Sequence, residues 1–549
     1  VIPILLASFA IATAMGITAL VGTAFSFSFF VQNMITMIGL AVGIDYSLFI
    51  VARYREERLH GRDRLEAIGH SGATANRAVF FSGMTVVLAL LGILIVPTTI
   101  FRALAAGAIF VVLVAVGASM TLLPAVLGLM GDKVNAIRVR RKAGRVEAGT
   151  GFWDRASRIV MRRPVVSVVL GAGFMILLAL PYFSIHTGTS GVSTLPDDIE
   201  AKQAFVLLEE SFAGGLAEPA QVVIDGDIAS PAVQTALTDL QESMAADDRF
   251  GPAGELEVNQ AGDLAALPVP FKGDIYEDDS VEALRDLRGE YIPAAFDGVE
   301  ANVLVGGETA FNVDFFDLAD TYTPIVFVFV LGLSFLLLTV VFRSIVLPVK
   351  AIILNLLSVG AAYGLVVMFF QEDVGPSFVK DIAEALNFPQ VQAVEAWLPL
   401  MLFSILFGLS MDYHVFLLSR IRERFDFTQN NTESVAYGLR TTGGLITGAA
   451  LIMVAVFAGF AAGRLAPLQQ MGFGLAVAVF LDATIVRSVL VPSSMKLLGN
   501  LNWYLPRWLE WLPKLRVEGR EAERELVAAL EAELMGGRGG PLGKMDIHR

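Results

Sequence analysis

Residues 41 to 58 read AVGIDYSLFIVARYREER, and residues 408 to 425 read GLSMDYHVFLLSRIRERF. Asp45, Tyr46, Phe49, Arg53, Arg55 and Glu56 fall on Asp412, Tyr413, Phe416, Arg420, Arg422 and Glu423 at a constant offset of 367. Each stretch is apolar as a membrane helix is, and each is interrupted midway by an acid. A charged side chain at bilayer depth costs roughly 2.5 to 3.5 kcal/mol even on lenient insertion scales, so it persists where it pairs, lines a cavity or carries a charge. The same interruption at the same place in two copies marks an internal duplication. Pro492 matches Pro124 at nearly the same offset, so the repeat covers whole helical bundles.

Composition agrees with a polytopic membrane protein. Hydrophobic residues make up 55% of the 549, charged residues only 17%, and the mean hydropathy is +0.64. Runs able to cross a bilayer, about 20 apolar residues each, lie near 1–22, 33–53, 79–97, 101–130, 164–183, 324–342, 346–370, 397–420, 440–460 and 467–498. Residues 131–163 carry ten Lys and Arg against three acids, which the positive-inside rule assigns to the cytoplasm together with both termini. Residues 184–322 hold 28 of the 54 acids and only five Lys or Arg, so this segment belongs outside, and the net charge of −14 is mostly extracytoplasmic. Nucleic acid is not expected as a partner. With no cysteine there is no disulfide framework and no cysteine metal site.

These breaks divide the chain into 1–130, a partial first repeat of four spans; 131–163, a basic cytoplasmic linker; 164–183, the first span of the second repeat; 184–322, an extracytoplasmic α+β domain; 323–498, the five remaining spans; and 499–549, a cytoplasmic tail, partly disordered. The outer segment reads as strand AQVVIDG, helix 230–246, strand ELEVNQ, strand DLAALPVPF, helix 279–292 and strand ANVLVGG, the βαββαβ order of a ferredoxin-like unit. A last helix from Thr309 runs on into the sixth span. Because the copies enter the membrane in the same direction, the repeats are parallel, related by an axis along the membrane normal. The second copy has six spans and the first only four, and the chain starts VIPILLASFA with neither Met nor a basic leader. The expectation is therefore a truncated N-terminus, lacking one span, one outer domain and a second span.

Asp and Tyr neighbours point about 100° apart on a helix. Around a pseudo-twofold axis, Asp45 can then meet Tyr413 while Asp412 meets Tyr46, each carboxylate accepting from a phenol of the other half. Such a buried pair either relays protons or simply staples two helices. Asp482, with Arg487 five residues later, is a third intramembrane acid; the two either take part in a relay or are structural, Asp482 pairing with Arg487 or with a neighbouring helix. His414 points roughly 200° from Asp412, which leaves it to extend a relay toward Asp482 or to pack by hydrogen bonding. Asn355, Ser358 and Tyr363 read as packing residues, Arg53, Arg55, Arg420 and Arg422 as snorkelling anchors, and Trp503, Trp508 and Trp511 as an interfacial segment. No P-loop, HExxH, GxSxG or His cluster is present in the sequence, so no cofactor or metal is expected and enzymatic chemistry has no support.

On the paired GIDYSLFIVARYREE and GLSMDYHVFLLSRIRER, with TLLPAVLGLMGD, GLAVAVFLDATIVRSVLVPSSMKLLG and NWYLPRWLEWLP, the chain resembles the MMPL family of the resistance-nodulation-division (RND) superfamily, in particular its actinobacterial drug and lipid exporters. The resemblance runs from Val1 to about Arg516. It implies a twelve-span, two-repeat architecture with porter-like outer domains, of which this chain holds spans three to twelve. It implies proton-relay roles for Asp45, Tyr46, Asp412 and Tyr413, and proton-driven export of lipids or other amphiphiles across the bacterial plasma membrane, with the proton gradient in place of a cofactor. Self-assembly into homo-oligomers is compatible with it. One departure is Gly444, where the family commonly has the Arg that the first repeat shows as Arg77. A non-transporting scaffold or lipid sensor, or an accessory driver of protein translocation, would share the architecture.

Overall fold

The computed structural model describes residues 2–59, 61–131, 152–189, 194–196, 198–211, 219–272 and 278–513. Most of the basic linker and the tail from residue 514 onward lie outside the described residues.

Ten helical segments are long and apolar enough to cross a bilayer, all within the described residues. The first half comprises α1 (Ile2–Val21), α2 (Phe30–Leu59), α3 (Arg64–Leu91) and α4 (Thr99–Met120), which a bend at Thr121 joins to the short α5 (Leu122–Met130). The amphipathic α6 (Phe152–Arg162) leads into α7 (Pro164–Ala179), the first span of the second half. After the outer domain come α12 (Glu308–Phe342), α13 (Val346–Phe370), α15 (Leu398–Thr428), α16 (Asn431–Ala461) and α17 (Ala466–Leu481), which continues through a π-helical stretch, Asp482–Leu490, into α18 (Val491–Leu498). The halves meet reciprocally, α2 against α16 and α15 against α3, as a twofold relation requires.

Equivalent punctuation recurs in both copies. Asp63 caps α3 in a capping box with Glu66, its Oδ1 accepting from the Glu66 N–H at 2.8 Å, and Asn430 caps α16 by accepting from the Glu433 N–H at 3.2 Å. Thr98 and Leu465 precede the last spans at the same offset of 367. Toward the ends of the last spans the offset is 368: Pro124 matches Pro492, and the terminal Gly131 (φ 52) matches Gly499 (φ 53). The second copy therefore gains one residue inside its final span. The π-helix at Asp482–Leu490 absorbs it, since i→i+5 bonding accommodates an extra residue without breaking the helix.

Helix contacts rely on small residues. Gly43 lies against Ala7 of α1, and Gly364 of α13 lies so close to the Leu178 carbonyl that a Cβ there would collide with the oxygen. This is the close backbone approach that holds membrane helices together where lipid supplies no hydrophobic drive.

The outer domain has the expected order: β2 (Ala220–Gly226), α9 (Pro231–Ala245), β3 (Glu257–Val258), β4 (Leu264–Val269), α10 (Asp278–Asp286) continuing into α11 (Ile292–Ala295), and β5 (Ala301–Gly306). The strands form one antiparallel sheet ordered β3-β4-β2-β5, with Val223 opposite both Ala266 and Leu304. Val222, Ile224 and Leu267 face Leu240 of α9 and Leu284 of α10 in its core.

Two boundaries differ from the sequence reading. The division after residue 322 falls inside α12, which is unbroken from Glu308 to Phe342 and is tied to the domain by Arg285–Asp317 (2.8 Å) and Arg288–Asp314 (2.6 Å). The stretch 323–498 is also more than five spans. Between α13 and α15 lie α14 (Ser377–Ala385) and β6 (Val394–Glu395), and β6 pairs in parallel with β1 (Thr187–Gly188) just beyond α7. Apolar runs dominated the reading there, and a strand of two residues leaves no periodicity to read. A further helix, α8 (Glu200–Ser211), precedes the sheet.

Candidate functional site

The two DY motifs sit on α2 and α15 at the contact between the halves. Phe49 and Phe416, which are repeat mates, touch edge to face with ring centroids 4.8 Å apart. A residue that touches its own mate marks the pseudo-twofold axis. Beside them lies a cavity of about 50 Å³, room for about three waters, lined by Asp45 and Tyr46 of α2, Ser82 of α3, Tyr413 and Phe416 of α15 and Ala449 of α16.

Asp45 is half-buried at this cavity, and its carboxylate accepts a hydrogen bond from the Tyr413 hydroxyl of the opposite half. The same hydroxyl lies 3.7 Å from Met453 Sδ. Tyr46 is almost wholly buried and packs over Gly83 of α3, its hydroxyl 3.6 Å from where a Cβ would stand. Any side chain at 83 would also collide with Val116, so glycine makes the room for the ring. The side chain of Asp412, the expected partner of Tyr46, lies outside the described residues.

A second polar cluster adjoins Tyr413. The Arg487 guanidinium lies 4.5 Å over the Tyr413 ring, pairs with Asp482, and donates from Nη2 to the Ser410 carbonyl at 2.8 Å. Asp482 Oδ2 also accepts from the Ser410 hydroxyl at 2.9 Å. In an α-helix, residues five apart diverge by about 140°; the π-helical stretch brings this pair onto one face. His414, one helical turn after Ser410, is 1% exposed, and its Nε2 has no hydrogen-bond partner among the described residues. A small void of about 10 Å³ between Asn355, Ser358, Tyr413 and the Asp482–Arg487 pair completes the cluster.

The structure thus brings Asp45, Tyr413, Arg487 and Asp482 into one connected group, with His414 one helical turn from Ser410. Of the polar residues of the seventh span, Ser358 donates to the Ala478 carbonyl at 3.3 Å and Tyr363 to the Pro399 carbonyl, both packing bonds. Ser410 escaped the sequence reading because a hydroxyl in an apolar helix usually bonds its own backbone. Its signal was its spacing, one turn before His414. Trp503 stacks on Phe425 at 4.9 Å and receives the Arg422 guanidinium over its ring at 4.8 Å, whereas Trp508 and Trp511 are exposed. Trp503 is therefore a packing residue in this fold.

Comparison with known proteins locates this arrangement. The MMPL family model matches residues 1–167 and 193–512. The mycolic acid-containing lipids exporter MmpL11 of Mycolicibacterium smegmatis is 37% identical over 517 residues, 93% of this chain and 53% of that protein. The trehalose monomycolate exporter MmpL3 of the same organism is 30% identical over 544 residues, 93% of this chain and 52% of that protein. The chain spans about half the length of these curated relatives. In fold it resembles SecDF of Thermus thermophilus, a translocon-associated membrane protein, with a TM-score of 0.50 at 14% identity over 89% of this chain and 58% of that one. With a match that runs through both halves and the domain inserted in the second, the chain belongs to the MMPL family.

Proposed function

We propose that this chain works in a proton-driven exporter of lipids or other amphiphiles, drug-sized hydrophobes included, across the bacterial plasma membrane. The observation that carries the reading is the Asp45–Tyr413 hydrogen bond, which joins a carboxylate of one half to a phenol of the other beside a cavity with room for water. Protonation of Asp45 removes a charge at that contact and changes what the phenol can bond, so the proton count and the relative position of the halves are linked. One elementary charge moving through 100 mV supplies about 2.3 kcal/mol, enough to bias two arrangements of comparable energy without ATP. The names of MmpL11 and MmpL3 as lipid exporters support the cargo class.

In this reading α12, continuous from the outer domain into the membrane, carries the movement between them. The end bearing the basic linker faces the cytoplasm, and the protein is a transporter that works without an enzymatic step or a cofactor. The test is efflux of a fluorescent amphiphile from proteoliposomes holding the intact protein under an imposed pH gradient. Asp45→Asn should abolish gradient-dependent efflux while the purified protein keeps its elution profile and melting temperature. Efflux at the normal rate in that variant would sink the coupling.

A further inference from the structure

Helix α6 buries Asp154, Ser157 and Met161 on one face and is fastened to the bundle through it. Asp154 pairs with Arg158 of its own helix and lies 3.8 Å from Arg440 of α16, Trp153 covers Gly443 of α16, and Lys496 of α18 donates to the Met161 carbonyl at 2.5 Å. The opposite face is therefore held at a fixed place. It carries two large apolar side chains, Phe152 at 75% and Ile159 at 68% exposure, and the exposed cations Arg155 and Arg162. The members of each pair are seven residues apart, so they return to nearly the same direction after two turns, and the two strips lie about 60° from one another. Arg163, also exposed, stands at the corner where α7 begins.

A helix that has buried one face in its fold ordinarily shows water a polar one. Exposed Phe and Ile beside arginines are instead the pattern of a helix lying among lipid headgroups. Two observations favour lipid over a protein as the occupant. The exposed face adjoins the start of α7, where Val165, Val166, Val169 and Leu170 are all exposed on a span that the bundle covers little. Arg155, Arg162 and Arg163 have no carboxylate partner among the described residues, so three cations stand at the edge of the membrane with donors to offer.

We propose that this face of α6, with Arg163 at the corner, is a docking site for anionic phospholipid headgroups. The guanidinium groups of Arg155, Arg162 and Arg163 donate to phosphate oxygens, and Phe152 and Ile159 enter the boundary between headgroups and acyl chains. The site stands apart from the Asp45–Tyr413 contact and does not depend on proton coupling.

The chain has no cysteine, so Ile159→Cys carrying a small apolar fluorophore such as bimane reports on this site alone. The labelled intact protein is reconstituted with mixtures of brominated and unbrominated phosphatidylglycerol and phosphatidylcholine, the bromines quenching on contact. Phosphatidylglycerol should associate roughly fivefold more strongly or better, and this preference should fall below about twofold when Arg155→Gln, Arg162→Gln and Arg163→Gln are combined. The same label at Leu177→Cys, exposed on α7 about 21 Å further along the span, should show no preference. Salt at about 0.5 M should also weaken the preference in the protein that keeps its arginines, and this decides the question if the triple variant does not reconstitute. Equal association of the two lipids at Ile159→Cys, a preference that survives the triple variant or the salt, or the same preference at Leu177→Cys would each overturn the site. Absence of quenching by either lipid would overturn it as well, because the face would then be covered by protein.

Discussion

At the scale of single residues, the molecule separates groups that hold helices together from groups that can carry charge. Tyr413 does both, since its ring receives Arg487 and its hydroxyl reaches Asp45. Tyr413→Phe keeps the ring and removes the phenol. The expected result is a stability within about 1 kcal/mol of wild type, the ordinary net worth of one hydrogen bond, and amphiphile efflux at least tenfold slower, read in the same proteoliposomes. In the outer domain, Arg249 bonds Asp247 at 2.7 Å and Asp286 at 2.7 Å, and Tyr291 adds a bond to Asp247 at 2.9 Å. The Arg249 guanidinium holds the Asp247 carboxyl at about 2, against an ordinary 3.8. A folded value below the unfolded one adds stability that is present above about pH 4 and lost as pH falls from there toward 2. After solvent screening this amounts to about 1 kcal/mol. Hydrogen exchange of the domain in the purified intact protein, corrected for intrinsic rates, should show wild type losing protection over that window, and Asp247→Asn should show a weaker pH dependence.

At the scale of elements, close approach and helix type decide what the side chains can do. The contact of Gly364 with the Leu178 carbonyl leaves no space for a Cβ, and a backbone oxygen cannot rotate away. Gly364→Val should therefore separate α7 from α13 and cost about 3 kcal/mol, seen as a lowered melting temperature in detergent. Trp153 of α6 lies over Gly443 of α16, where a Cβ would meet its ring at 2.7 Å. That ring also passes near Gly444, the position at which the first repeat carries Arg77, where a Cβ would make only ordinary contact with it at 3.9 Å. The π-helical stretch is the other element-level device, because without it Asp482 and Arg487 would point apart.

At the scale of the whole molecule, the pseudo-twofold relation puts Phe49 against Phe416, and a cycle that rocks the halves must change that contact. The chain contains no cysteine, so Phe49→Cys with Phe416→Cys introduces the chain's two thiols at the axis. Oxidation, or a short bifunctional thiol reagent, should link α2 to α15 and stop gradient-driven efflux, and reduction of the disulfide should restore it. Unchanged efflux in the linked protein would mean that the halves do not move apart at this level.

The sequence by itself determined the spans, the duplication and the order of the outer domain. Bilayer thickness fixes how long an apolar run must be, and a repeated acid within such a run stands out against a uniform background. Even the extra residue of the second half was present in the sequence, as an offset of 367 at Asp412 and 368 at Pro492. Tertiary structure alone decided where that residue goes: a loop could have absorbed it, but the last span took it as a π-helix and so aligned Asp482 with Arg487. It decided as well that Ser410 bonds to both members of that pair and that Lys350 lies buried beside Asn502. Periodicity within one helix says which face a residue occupies, whereas its partners come from other helices and are set only when the bundle packs.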